Sequence, residues 1–245
     1  MSTVPILHGE KLYKRYGKRP VLRDVTIEVR GGEVVGLLGP NGAGKTTTFS
    51  IVVGILRPDQ GTVWYNGKNI TNLPMHLRAR RGITYLPQES SVFRKLTVEE
   101  NVMAILETLP LTAAERRARL TQLLGELHIA HLAHQRADSL SGGERRRVEI
   151  TRALVLSPSF MLLDEPFAGI DPLSVNDIQE IIAQLRDRGI GVLITDHNAQ
   201  ETLRICDRAY LLADGMVMQE GTPEVLAASD RARQMYLGKR FSLQS

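Results

Sequence analysis

Gly39-Pro40-Asn41-Gly42-Ala43-Gly44-Lys45-Thr46-Thr47 follows the spacing G-x-x-x-x-G-K-[ST] directly after an apolar run, Val34-Val35-Gly36-Leu37-Leu38. Glycines at 39, 42 and 44 let successive backbone N–H groups turn toward phosphate oxygens, and the helix expected to follow adds its positive N-terminal end. Lys45 supplies a mobile point charge for β- and γ-phosphates, and Thr46 an oxygen for magnesium. The whole stretch, Asn41 and Thr47 included, reads as a nucleotide-binding loop.

A phosphate cradle hydrolyses nothing by itself; it needs a carboxylate for the metal and a group that activates water. Phe160-Met161-Leu162-Leu163 delivers Asp164 and Glu165 to the end of a buried strand. Asp164 is expected to hold the magnesium shell and Glu165 to polarise the attacking water. As neighbours on a strand their side chains are expected to point opposite ways, which suits two roles. His197 follows another apolar run, Val192-Leu193-Ile194-Thr195-Asp196, and so is expected on the same sheet edge, within reach of a γ-phosphate.

Ser141-Gly142-Gly143 forms a second anion-ready loop before the helix-forming run Glu144 to Leu154. By spacing alone, phosphate contact and simple capping of that helix by Ser141 fit equally. Arg145, Arg146 and Arg147 read as a solvated helix face. His128, His131 and His134 recur every third residue but have no Cys or carboxylate cluster beside them, so they read as surface and not as metal ligands.

The elements that must position these residues are those of an α/β protein. The chain of 245 residues, 42% hydrophobic and 24% charged, can bury a large core. Val34 to Leu38, Phe160 to Leu163 and Val192 to Ile194 are apolar throughout, as parallel strands covered on both faces require. Val25, Ile27 and Val29 alternate before Gly31-Gly32, and Thr62-Val63-Trp64-Tyr65 before Asn66-Gly67 reads as the antiparallel partner. From about Leu96 to Leu156 helical patterns replace strands: Thr112 and Glu115 make a capping box, and Leu120, Leu123, Leu124 and Leu127 line one face. Ser174 with Asp177 is expected to open a further helix that Gly189 ends.

Charge and cysteine usage narrow the setting. The excess of 31 Lys plus Arg over 27 Asp plus Glu, +4 in all, is spread without a dense basic tract, which speaks against a nucleic-acid partner. No apolar run is long enough to cross a bilayer, Met1 to Lys18 lacks a signal-peptide h-region, and Cys206 is the one cysteine; a cytosolic location is expected.

In this order the motifs resemble the ATP-binding subunits of ABC transporters. Gly39 to Thr47 matches Walker A, Gln88 in Tyr85-Leu86-Pro87-Gln88 the Q-loop, Leu140-Ser141-Gly142-Gly143-Glu144 the signature, and Asp164-Glu165 the end of Walker B. Gly169-Ile170-Asp171 matches the D-loop, His197 the switch histidine, and Tyr16 the aromatic position that stacks on adenine. The resemblance implies a P-loop NTPase (RecA-like) core with an antiparallel β subdomain and an inserted α-helical subdomain. It implies a single ATPase domain over 4–240, with 1–95 and 157–240 as core and 96–156 as the helical part. Catalysis would fall to Glu165, His197 and Gln88, and Mg2+ binding to Thr46, Gln88 and Asp164. Two copies would sandwich two ATP molecules head to tail, with Ser141, Gly142 and Gly143 of one closing over the Walker A loop of the other.

Within the family, Tyr85-Leu86-Pro87-Gln88-Glu89, Phe93-Arg94-Lys95-Leu96-Thr97-Val98, Gly143 to Ile150, Ile194-Thr195-Asp196-His197-Asn198 and the tail Tyr236-Leu237-Gly238 with Phe241 are similar to the ATPases of lipopolysaccharide exporters. Glu144, where the general signature has Gln, is shared by those exporters. This likeness implies a homodimer on the cytoplasmic face of the bacterial inner membrane, beneath two permease subunits that contact Phe93, Arg94 and Leu96. ATPases of branched-chain amino-acid importers have similar phrases and are the nearest alternative, and a non-transport ABC ATPase acting on ribosomes is a more distant one.

Overall fold

The computed structural model describes residues 4–238 and Phe241; the outermost residues of the expected core, 1–3 and 239–240, lie outside the described residues. A first, antiparallel sheet contains β1 (Ile6–Tyr16) and β2 (Arg19–Arg30). The chain then crosses to a second sheet with β3 (Val34–Leu38) and returns through helix α1 (Lys45–Val53) to β4 (Gln60–Tyr65) and β5 (Lys68–Asn69) of the first. After α2 (Met75–Ala79), the second sheet collects β6 (Ile83–Leu86), β7 (Phe160–Asp164), β8 (Gly191–Thr195), β9 (Arg208–Ala213) and β10 (Met216–Gly221).

The first sheet has the order β2-β1-β4-β5. β4 therefore pairs with β1 and not, as its sequence suggests, with the Val25–Val29 strand. The intervening β1 is hard to see in the sequence because its alternation is broken: Leu7 and Gly9 face the core in one phase and Leu12 in the other. A bulge at this point, with Lys11 at φ 49°, absorbs the extra residue.

The second sheet runs β10-β9-β3-β8-β7-β6, with β10 antiparallel at one edge and the other strands parallel. The wholly apolar β3, β7 and β8 lie side by side at its centre, as their composition requires. One face packs on helices and the other on α1 and the antiparallel sheet, giving two separate apolar clusters. Because β3, β8 and β7 pair parallel and in register, their C-terminal ends lie together, and the turns after residues 38, 164 and 195 share one rim.

Between β6 and β7 stand α3 (Val98–Leu106), α4 (Ala113–Glu126) and α5 (Gly142–Leu154). Each starts with a capping box, formed by Thr97 with Glu100, Thr112 with Glu115 and Ser141 with Glu144. Helix α6 (Pro172–Asp187) begins earlier than the Ser174–Asp177 pattern suggests. Asp171 caps it by accepting the Ser174 N–H at 3.0 Å, and Pro172 fixes the first turn, so Ser174 is already helical. Gly189, at φ 82°, follows its C-cap as expected. Helix α7 (Ala199–Leu203) follows β8 and α8 (Pro223–Ala228) follows β10.

Arg78 is fully buried and, among the described residues, has no carboxylate partner. Its guanidinium donates to the carbonyls of Ile51 and Val52 at the C-terminal end of α1, at 2.8 and 2.5 Å, and to those of Leu73 and Thr71 at 2.9 and 3.0 Å. The negative end of the α1 dipole thus meets a fixed cation. Burial still draws the guanidinium down to about 10.

Candidate active site

The phosphate loop is shaped by backbone that only glycine adopts freely. Gly39, Gly42 and Gly44 have φ of 145°, 80° and 104°. A Cβ on Gly39 would lie 2.1 Å from the Leu212 carbonyl oxygen, and one on Gly44 2.5 Å from Leu22 Cδ2. Gly42 instead faces open space, with Asn41 and Thr46 exposed beside it and Thr47 half-buried. No side chain caps α1, so the N–H groups of its first turn stay available for an anion. Lys45 is buried, and its ammonium donates to the carbonyls of Gly39 at 2.5 Å and Pro40 at 3.1 Å. Burial lowers its pKa, and the Glu165 carboxylate works the other way.

Asp164 ends β7 in register with Thr195 of β8. Its carboxylate accepts the Tyr85 hydroxyl at 3.2 Å, while its backbone carbonyl accepts from Arg146 at 3.3 Å. Glu165 does not continue the pleat. It lies past the strand at φ 46°, its N–H donating to the Thr195 carbonyl at 2.6 Å, so the two carboxylates are separated by a turn of the backbone and not by strand alternation. Glu165 Oε1 is 2.6 Å from His197 Nε2, and the imidazole is 60% exposed while the carboxylate is largely covered. Burial raises the pKa of both Asp164 and Glu165.

A cleft of about 260 Å³ joins Glu165 to Gln88, Gly142, Arg145, Arg146 and the turn at Ala168 to Ile170. Gln88 is exposed in the loop after β6. A larger concavity of about 840 Å³ lies between the two sheets' edges, around Arg23, Glu28, Glu33, Arg208 and Tyr210. It contains none of the residues above, and Glu33 already neutralises Arg208 there, so chemistry and not size marks the site.

Ser141 caps α5, as one of the two readings of its loop has it, and stays exposed. It accepts the Glu144 N–H at 3.3 Å, and Glu144 accepts the Ser141 N–H at 2.8 Å. Among the described residues, no hydrogen bond links residues 141–143 to the phosphate loop. Tyr16, 55% exposed, sits where β1 turns into β2, and that hairpin reaches the phosphate loop through Val21 and Leu22 against Gly44.

Arg146 is not on a solvated face. It is buried, paired with Glu149 at 2.9 Å, and donates to the Pro87 carbonyl at 3.0 Å. Glu149 in turn accepts the Ser91 N–H at 2.8 Å, so this pair ties the Gln88 loop to the end of β7. Arg147 is likewise engaged, by Asp177. The sequence carried one clue, the i, i+3 spacing of Arg146 and Glu149. Asp196, also unforeseen, is buried and accepts N–H groups of Phe167 at 3.1 Å and Asn198 at 2.9 Å.

Phe93 and Arg94 are exposed and Leu96 half-buried on a loop held from beneath by Asn101. The Asn101 amide donates to the carbonyls of Phe93, Leu96 and Thr97 and accepts the Phe93 N–H at 2.8 Å. The Arg152 guanidinium lies 4.6 Å from the centre of the Phe93 ring.

A parallel sheet with a phosphate loop after one central strand and acids and a histidine after its neighbours defines a class of nucleotide hydrolases. The sequence profile of the family described as "ABC transporter" matches residues 22–168, and the chain belongs to that family: it is an ATP-binding, ATP-hydrolysing subunit. It is similar over its length to proteins named "Lipopolysaccharide export system ATP-binding protein LptB". It is 58% identical to that of Acidithiobacillus ferridurans, 55% to that of Haemophilus influenzae and 53% to that of Escherichia coli K12, in each case over 97% of this chain and 99% of the relative. Among solved structures it superposes on an ATP-binding cassette of an ABC transporter in its ADP conformation, with TM-score 0.86 and 30% identity over 97% of this chain and all of the other. It also superposes on a dimeric cassette bound to ADP and phosphate, with TM-score 0.76 and 27% identity over 89% and 98%.

Proposed function

We propose that this chain is the cytoplasmic ATPase subunit of a transporter that extracts lipopolysaccharide from the bacterial inner membrane and sends it toward the outer membrane. The observation that carries this reading is the end-to-end likeness to subunits named for lipopolysaccharide export.

Gly39, Asn41, Gly42, Gly44 and Thr47 cradle the phosphates with backbone N–H groups and the start of α1, and Lys45 leaves its two carbonyl partners for the β- and γ-phosphates. Thr46, Gln88 and Asp164 are oxygen donors suited to Mg2+; the exposure of Thr46 and Gln88, and an Asp164 carboxylate that accepts one hydrogen bond, fit that task. The bound ion would neutralise phosphate charge. Glu165 takes the proton of the attacking water, and the burial that raises its pKa makes it the stronger base. His197, exposed and already beside Glu165, is free to turn toward the γ-phosphate.

The exposure of Ser141 and Gly142, and the dimeric form of a similar cassette, support a head-to-tail second copy whose signature covers the nucleotide, with Tyr16 stacking on adenine. Among the described residues, no helix is long and apolar enough to cross a membrane. Two permease subunits seated on Phe93, Arg94 and Leu96 would hold the chain at the inner face, and the exposure of Phe93 and Arg94 fits that contact.

Affinity purification of the tagged chain from solubilised membranes tests the reading. Two lipopolysaccharide permeases should co-purify and support ATP-driven release of lipopolysaccharide from proteoliposomes. Recovery of amino-acid permeases in their place would overturn it.

A further inference from the structure

After α8 the chain makes a short helical turn, Asp230–Ala232, and then widens into a π-helical turn, Arg233–Leu237, closed by the Gly238 N–H donating to the Arg233 carbonyl at 2.9 Å. Such i→i+5 turns are rare and gather at functional sites. This one presents Tyr236 to the rim described above. The phenol hydroxyl is shared between the backbone carbonyls of Asp196 at 3.3 Å and His197 at 3.4 Å.

Apolar packing fixes the same segment. Tyr236, Leu237 and Phe241 rest on Leu38, Leu203, Ala209, Leu211, Leu226 and Ala232. Leu38 immediately precedes Gly39 of the phosphate loop, and Leu203 belongs to α7, the helix that follows His197. The C-terminal segment therefore underlies both turns at once, the one that grips phosphate and the one that carries the histidine.

The His197 turn is otherwise lightly held. Its imidazole is exposed, and the Asp196 carboxylate secures the peptide N–H groups of Phe167 and Asn198, leaving the carbonyls of 196 and 197 to Tyr236. We propose that Tyr236 is a positioning residue for hydrolysis: its hydroxyl fixes the Asp196–His197 peptide so that the imidazole stands between Glu165 and the γ-phosphate. Burial pushes the phenol up to about 12, so it remains a donor throughout the physiological range. This inference rests on the reading of His197 as the γ-phosphate contact.

The test is Tyr236→Phe in the full-length chain, which keeps the ring and its packing and removes one oxygen. Steady-state ATP hydrolysis and the ¹H–¹³C resonances of labelled histidine are measured together, with the His197 signal assigned by its loss in His197→Gln. The expected result is kcat lower by roughly ten- to a hundredfold, in line with the cost of a small misplacement of reacting groups, with KM for ATP within about threefold and the His197 signal shifted. A kcat within twofold of the parent, or a His197 signal that does not move, overturns the proposal. Failure of the underlying reading is separate: it would appear as undiminished hydrolysis by His197→Gln itself. If Tyr236→Phe folds poorly, Tyr236→His, which restores a ring donor, should recover part of the kcat lost in Tyr236→Phe at a temperature where both are folded; no recovery would count against the proposal.

Discussion

His197 Nε2 stands 2.6 Å from Glu165 Oε1 although the two residues come from different strands, because β7 and β8 are paired in register up to Asp164 and Thr195. The contact joins the group that should take a proton from water to the group that should sense the γ-phosphate. It also needs the left-handed backbone of Glu165, which turns the carboxylate out of the strand and toward the histidine.

Glu165→Gln should retain ATP binding and lose turnover by roughly 10²–10⁴, the usual contribution of a general base. Equilibrium nucleotide binding and phosphate release check it, and turnover within threefold of the parent would reject the role.

The acid limb of kcat/KM should lie above the ordinary range of aspartate and glutamate. Asp164 and Glu165 are both raised by burial, and each must be ionised to act, so activity is lost as pH falls through their elevated values. A limb at or below the ordinary carboxylate range would contradict the assignment of these two groups.

Ser141→Arg should leave nucleotide binding by the isolated chain intact, since among the described residues Ser141 bonds to Glu144 of its own helix and not to the phosphate loop. In a Glu165→Gln background it should abolish the dimer that ATP induces. Sedimentation as a tight dimer with ATP would argue against a site shared between copies.

Arg78→Met should destabilise the fold by roughly 3 kcal/mol, because buried carbonyls of Ile51, Val52, Thr71 and Leu73 lose their donor. Urea unfolding measures it; a loss under about 1 kcal/mol would mean that water or a backbone shift replaces the guanidinium.

Much of this was legible in the sequence, for identifiable reasons. The central strands β3, β7 and β8 announce themselves because both faces are buried, and the phosphate loop because its glycines and Lys45 have few other uses together. The strand β1 was hidden by a bulge that switches its alternation between Gly9 and Leu12. Ser174 and Asp177 imitate a cap that Asp171 and Pro172 already provide, so the sequence pattern sets the start of α6 too late. Arg146 reads as solvated because charge suggests exposure, and its burial depends on Glu149 and on the carbonyls of Pro87 and Asp164, which only the folded chain brings to it. Tyr236 stands out in the sequence only within the tail phrase Tyr236-Leu237-Gly238, and its contact is not legible there, since its hydroxyl is met only after the strands have brought residue 196 to the rim.

Arg78 closes one end of α1, and the opposite end opens on the phosphate loop. A helix clamped at its far terminus resists fraying from that end, so nucleotide meets a socket whose dipole is already in place. Capture should therefore proceed at the pace of molecular encounter, with no slow reshaping of the loop beforehand, leaving the later joining of two copies as the step at which the cycle can be timed.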